Sequence, residues 1–133
     1  MAVDNLRHIS FCCRVGLGLL FVYHGLVPKI LYLSAIEVSL VEASGAGLPA
    51  RIASPLAGVV EILLGVLIAL RLGGKVPVWL AALALLGLLL YVAVLSPALL
   101  VEAFNPVTTN LLGLLLCYLI LRLESSPGSV GAG

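Results

Sequence analysis

Long apolar segments alternate with short polar or glycine-rich connections along this chain. We predict membrane-spanning helices over residues 9–31, 54–72, 76–95 and 105–123, because a helix that crosses a bilayer needs about 20 mostly apolar residues. Ser54 before Pro55 and Asn105 before Pro106 are typical of helix starts, with the polar residue as the N-cap. The pattern therefore predicts an all-α, polytopic membrane protein, a four-transmembrane-helix bundle formed by a single domain over residues 1–124.

Two segments outside these helices have patterns of their own. Leu33, Ile36 and Leu40 recur at helical spacing around the charged Glu37, which predicts a short helix over residues 33–43 that lies at the membrane interface. A loose loop would also fit these residues. The tail, residues 125–133, is small, polar and rich in glycine, and we predict that it is disordered.

The composition agrees with a membrane location and excludes other classes. Hydrophobic residues make up 62% of the 133 residues and charged residues 10%, whereas soluble domains are about 45–50% apolar and roughly 25% charged. A net charge of +1 argues against a nucleic-acid partner, which would need a basic surface. The three cysteines, Cys12, Cys13 and Cys117, form no C-x-x-C motif, so we expect neither a disulfide framework nor a thiol relay.

Lysine and arginine positions predict the orientation in the membrane. Four basic residues fall on the side shared by both termini and the connection near residue 73, against two on the other side. Since cytoplasmic loops carry the excess of basic residues, we expect both termini to lie in the cytoplasm. We expect the protein to be in the inner membrane of a bacterium. The first apolar segment is followed by no small-residue cleavage site, so we read it as a retained helix and not as a signal peptide. The basic residues on the termini side are Arg7, Arg71, Lys75 and Arg122.

Glu61 is the one carboxylate in the second apolar helix. An ionised carboxylate at the bilayer centre costs at least about 2.5 kcal/mol, so a partner or a function is expected. Because side chains lean toward the N-terminus of their helix, Lys29 on the first helix and Glu61 on the second lean toward each other, and we predict that they pair. Arg14 and His24 are alternative partners for Glu61. Arg14 ranks after Lys29 because it lies near the other end of the first helix.

Polar side chains from all four helices fall at a similar depth, about 10 Å from one face, by the helical rise. Such a layer is costly without a shared purpose. Each of these residues also has a purely structural interpretation: a buried ion pair that only fixes helix register, a core histidine, a tyrosine of the aromatic belt, and an asparagine that joins helices. We predict a ligand site built from Glu61, Lys29, His24, Asn110, Tyr91 and Arg14, with no metal and no assigned catalytic residue.

Four short stretches resemble the DoxX-like family of small membrane proteins: RVGLG at 14–18, HGLVPK at 24–29, GVVE at 58–61 and NPVT at 105–108. The resemblance implies a four-helix membrane fold. It also matches Arg14, Lys29, Glu61 and Asn105 to polar positions that recur in the family. Some relatives are linked to quinone-dependent thiosulfate oxidation or to thiol-redox complexes, and animal relatives include receptor-assembly chaperones.

Three functions fit this sequence. The first is a small membrane subunit that binds a quinone or another small ligand in a polar pocket and works with a redox partner subunit, since the chain has no self-sufficient catalytic or redox motif. The second is a structural or assembly module, chaperone-like, in which the Glu61–Lys29 pair only fixes the bundle. The third is a small transporter that would have to form a homo-oligomer to build a pathway.

Overall fold

The computed structural model of the chain describes residues 2–125, and the predicted disorder of the tail falls almost entirely outside these residues. All regular elements in this range are helical. Helix α1 spans Ala2–Leu26 and continues as a π-helical segment, Val27–Leu31. Helices α2 (Ala35–Ala43), α3 (Ala50–Ala69) and α4 (Val76–Leu95) follow. A 3₁₀ segment, Pro97–Val101, leads to α5 (Pro106–Leu123).

Within residues 2–125, four helices are long and apolar enough to cross a membrane. They are α1 with the π segment, α3, α4 and α5, and large apolar side chains such as Leu63, Leu83 and Leu112 are exposed on their outer surfaces. Lipid is the solvent that can cover such surfaces. The predicted all-α fold with four membrane-spanning helices is confirmed.

Two predicted helix starts differ from the observed ones. Helix α1 begins at Ala2 rather than at residue 9, because the polar residues before the apolar segment continue the helix. Helix α3 begins at Ala50 with Pro49 as its N-cap residue, so Ser54 is not a cap and Pro55 lies inside the helix. In contrast, α4 has the predicted bounds, and Asn105 caps α5 by accepting a hydrogen bond from the Thr108 amide at 3.2 Å.

The end of helix α1 is shaped by Pro28. Proline has no N–H to donate, and its ring crowds the preceding turn of an α-helix. The chain widens here into the π segment, in which the amide of Tyr32 donates to the carbonyl of Val27 at 2.9 Å. Single π-helical turns are frequent at functional sites, and this one positions Lys29.

The four spans run alternately up and down, as their end contacts show. Arg14 of α1 contacts Ile68 at the end of α3, Gly74 before α4, and Glu124 after α5. We call this the basal end. Lys29, 15 residues and about 22 Å further along α1, lies at the opposite end together with α2. We call that the α2 end.

Helices α1 and α3 form the closest pair in the bundle. A Cβ added at Gly18 would lie 2.6 Å from the carbonyl oxygen of Gly65, and one added at Gly25 would overlap the carbonyl of Gly58. The two backbones therefore touch at two glycine pairs, seven residues apart on both helices, as is common where membrane helices pack through small residues. The apolar core lies toward the basal end and consists of Leu17, Phe21, Ile68, Val78, Ala81, Leu85, Cys117 and Ile120.

A candidate ligand cavity

A cavity of about 520 Å³ lies at the α2 end, enclosed by side chains from α1, the π segment and helices α2 to α5. Most of its wall is apolar, including Phe21, Leu85 and Leu88. A small number of polar groups converge on it. This volume and this kind of lining are typical of sites for small molecules. The polar lining residues are His24, Lys29, Glu37, Ser44, Ser54, Glu61, Tyr91 and Asn110.

Lys29 and Glu61 pair across the α1–α3 contact. The Nζ atom of Lys29 lies 2.5 Å from Oε1 of Glu61, which confirms the pairing predicted from side-chain direction. The approach depends on Gly58, since a Cβ at that position would lie 3.1 Å from the Cβ of Lys29. Both side chains are largely enclosed, with 10% of Lys29 and 24% of Glu61 exposed.

A second carboxylate belongs to the same cluster. Oε1 of Glu37, on α2, lies 3.8 Å from the Lys29 ammonium, and Oε2 of Glu37 accepts a hydrogen bond from the Ser54 hydroxyl at 3.2 Å. The cluster therefore holds two carboxylates against one ammonium. The Oε2 atom of Glu61 is buried and accepts no hydrogen bond from any residue in the described range 2–125. A buried acceptor of this kind is stabilised by any donor that can reach it.

Three further predicted site residues line the same cavity. The Tyr91 hydroxyl donates to the carbonyl of Leu40, which ties α2 to α4. Asn110, which is buried, donates through its amide nitrogen to the carbonyl of Leu85 at 3.2 Å and so joins α5 to α4. The His24 ring lies on the cavity wall and packs edge-on against the ring of Tyr23, with centroids 6.3 Å apart. The structure thus brings five of the six predicted site residues to one cavity.

The sixth predicted site residue, Arg14, lies at the basal end and not at the cavity, so both its assignment to the site and its role as an alternative partner of Glu61 are wrong. Its Nε and one terminal nitrogen donate to the two carboxylate oxygens of Glu124, at 2.7 and 2.8 Å. The guanidinium also donates to the carbonyls of Ile68, at 3.3 Å, and Gly74, at 2.8 Å. The reason is distance along α1: a 15-residue separation from Lys29 carries Arg14 to the other end of the bundle.

Glu124 is held in this basal network from several sides. Ser10 donates to its Oε1 atom at 2.8 Å, and Arg71 approaches the same atom at 3.3 Å. Partial burial would raise the pKa of the Glu124 carboxyl. The hydrogen bonds from Arg14 and Ser10 and the charges of Arg14 and Arg71 outweigh that effect and hold this pKa below its ordinary value.

A second cavity, of about 540 Å³, adjoins the first at the α2 end. It lies between α1, α2, the end of α4, the 3₁₀ segment and the start of α5. Five residues line both cavities: His24, Glu37, Leu40, Leu88 and Asn110. Asn105, the cap of α5, belongs to the second cavity only.

Sequence reasoning missed four polar residues of the Lys29–Glu61 cluster and the basal network: Ser10, Glu37, Ser54 and Glu124. Glu37 lies four residues after Leu33 and three before Leu40, on the same helix face as these apolar residues, and this position was the signal that it faces inward and not toward the interface. Ser54 was assigned as a cap. Glu124 stands at the edge of the last helix, where no pattern distinguished it from a solvated charge. No group of three or more histidine, cysteine, aspartate or glutamate residues within the described range has the arrangement of a metal site.

The fold and these two buried polar networks define the class of protein: a small integral membrane protein with four membrane-spanning helices and, near one end, a mostly apolar cavity that a few polar groups line. Residues 18–118 match the DoxX-like family, and the chain belongs to that family. No curated protein and no solved structure matches the chain.

Proposed function

We propose that this chain is a ligand-binding membrane subunit whose cavity holds a small, mostly apolar molecule with a polar head, and that the ligand is a quinone. The observation that carries the proposal is the convergence of Lys29, Glu61, His24, Tyr91 and Asn110 on one largely apolar cavity. Charged groups this far inside a membrane protein usually serve a ligand or an ion. Membership in a family of which some relatives are linked to quinone-dependent thiosulfate oxidation adds support.

The side chains at the cavity fit a quinone head. Lys29 and the imidazole of His24 are donors that can meet a carbonyl oxygen, and the orphaned Oε2 atom of Glu61 is an acceptor that can meet a hydroxyl. Apolar walls such as Phe21 and Leu85 would cover the ring. When bound, a quinone would supply two-electron, two-proton redox chemistry. The chain itself would bind and orient the ring, and Glu61, Glu37 and His24 would be the groups beside it that exchange protons.

Electrons would have to pass through another protein in this proposal. The three cysteines are free thiols and form no C-x-x-C pair, so the chain has no thiol relay through which electrons could pass. We therefore propose a redox partner subunit in the same membrane. The basic residues Arg7, Arg71, Lys75 and Arg122 support an arrangement with both termini in the cytoplasm of a bacterium. Reporter fusions to the C-terminus test that orientation.

Photo-crosslinking tests the ligand site directly. A quinone analogue that carries a photoreactive group is applied to the full chain in lipid nanodiscs, and the labelled peptides are identified by mass spectrometry. We expect labelling on α1 and α3, and at least about tenfold weaker labelling in the double variant Lys29→Met, Glu61→Leu, since a loss of 1.4 kcal/mol is tenfold in affinity. Unchanged labelling in this variant would exclude the assigned site.

A matched control comes from the basal end. Glu124→Gln also neutralises a carboxylate that accepts from a basic side chain, but it lies outside the cavity. It should leave the labelling of α1 and α3 as it is in the unsubstituted chain. The alternative of a purely structural pair is tested in the same series. If the double variant is as stable as the unsubstituted chain and still takes up the analogue, the Lys29–Glu61 pair only fixes the bundle.

A further inference from the structure

The second cavity differs from the first in what surrounds its rim. Glu102 and Thr108 line it and are exposed, and Asn105 is partly exposed. An exposed carboxylate facing lipid would be costly, so the rim near Glu102 belongs in water or in the headgroup region. The second cavity therefore opens from the aqueous side of the α2 end toward the interior of the bundle.

The wall that the two cavities share is mostly polar. Of the five shared residues, His24, Glu37 and Asn110 carry hydrogen-bonding side chains, and they come from three different helices, α1, α2 and α5. His24 is exposed on this wall. A wall between two dry cavities would need no hydrogen-bonding groups. Polar side chains where two cavities meet provide the hydrogen bonds that water molecules need, and we call His24, Glu37 and Asn110 the constriction.

A cluster of charged side chains lies in the first cavity, on the far side of this shared wall. Lys29, Glu37 and Glu61 form a cluster with one more negative than positive charge, and Oε2 of Glu61 accepts no hydrogen bond from residues 2–125. The charged and titratable groups that face His24 are these three and Tyr91 in the first cavity and Glu102 in the second, and Tyr23 on its own helix packs edge-on against its ring.

We propose that the second cavity is a water-filled access path, and that water and protons reach the Lys29–Glu37–Glu61 cluster from the α2 end through the constriction of His24, Glu37 and Asn110. The path deepens the proposed function, because it names the face of the membrane from which a ligand site would exchange protons. The role of the path in proton exchange rests on the proposed function. Access itself is a property of the chain without any ligand.

Cysteine substitution tests the path without a quinone. Single variants Thr108→Cys at the rim, Asn110→Cys and His24→Cys at the constriction, and Leu112→Cys as the control are made in the full chain and placed in lipid vesicles. Leu112 is on the same helix as Asn110, within one turn, but is 62% exposed on the outer surface of the bundle. A charged, water-soluble thiol reagent is added, and the unsubstituted chain with its three native cysteines gives the baseline.

We expect Thr108→Cys, Asn110→Cys and His24→Cys to react about tenfold or more faster than Leu112→Cys, because only a thiol in water forms the reactive thiolate. The two constriction positions lie on different helices, so a folding defect in one leaves the other to decide. If Thr108→Cys reacts while both constriction variants react as slowly as Leu112→Cys, the path is closed and the proposal is overturned. That result would leave the crosslinking test of the quinone site unaffected.

Discussion

Two enclosed ion pairs in the described range 2–125, Arg14–Glu124 and Lys29–Glu61, differ in how completely their hydrogen bonds are satisfied. At the basal end, Arg14 is 1% exposed and binds both oxygens of Glu124 and two backbone carbonyls. At the α2 end, Lys29 binds one oxygen of Glu61, and the other oxygen accepts nothing from the described part of the chain. A fully satisfied network can serve as structure, whereas an incompletely satisfied one beside a cavity has capacity left for a ligand.

The basal pair also closes the bundle in a way that the other pair does not. Arg14 joins α1 to the end of α3, the turn before α4 and the residue after α5, so one side chain links all four spans. Among residues 2–125, the carboxylates that Lys29 contacts lie on α2 and α3. We therefore expect stability to depend more on the basal end and binding more on the α2 end.

The largest effect should come from Arg14→Met. This change leaves Glu124 without its main partner and frees the carbonyls of Ile68 and Gly74. Removing one partner of a buried ion pair costs about 3–5 kcal/mol, and we expect the free energy of unfolding to fall by that amount. Denaturation in mixed micelles, followed by circular dichroism, measures it. Arg7→Met makes the same chemical change at an exposed position of α1 and should cost about 0.5 kcal/mol or less. Equal losses in the two variants would contradict the structural role of the basal end.

An intermediate effect is expected at the α2 end, and it should depend on which partner is removed. Lys29→Met leaves the carboxylates of Glu37 and Glu61 without their shared ammonium, at a cost of about 2–3 kcal/mol. Glu61→Gln leaves Lys29 with Glu37 and keeps an amide oxygen as acceptor, so the cost should be about 1 kcal/mol. The same denaturation series measures both. A larger loss for Glu61→Gln than for Lys29→Met would mean that Glu37 does not share the ammonium.

The smallest effect concerns acid. The pKa of Glu124 lies below its ordinary value of 4.5 in the folded protein, so the folded state binds the proton more weakly than the unfolded state. The stability from this group is therefore complete above the ordinary value and is lost as the pH falls through the lowered pKa. We expect the melting temperature of the unsubstituted chain to fall below about pH 4.5 more steeply than that of Glu124→Gln. Parallel pH profiles for the two proteins would show that the basal carboxylate does not titrate as described.

Much of the fold follows from patterns that depend on lipid alone. The bounds of α4 and the start of α5 could be predicted because apolar length and an Asn-Pro cap are local properties. The start of α3 could not, because Ser54 before Pro55 fits a helix start and Leu48 before Pro49 does not, yet the helix begins at Ala50 with Pro49 as its N-cap residue. Ser54 then becomes a buried donor to Glu37 instead of a cap.

The site was predictable where geometry follows from one helix pair. Side-chain direction along α1 and α3 was enough to place Lys29 against Glu61. The contribution of α2 was not, because a nine-residue helix can lie on the membrane surface or fold over the bundle with the same pattern. Arg14 was placed in the wrong network because its partner, Glu124, follows the last apolar residue, and no periodicity links it to α1.

The glycine contacts between α1 and α3 bear on how such a protein can change over time. A joint formed by main-chain atoms at Gly18–Gly65 and Gly25–Gly58 has no side chains that can rotate aside, so we expect the two helices to move as one body. Helix α2 is attached differently, through side-chain contacts of Glu37 and Tyr91. Substitutions in α2 can thus reshape the cavity while the α1–α3 pair stays intact. Under the proposed function, related chains would be able to change their ligand through substitutions in this short helix alone.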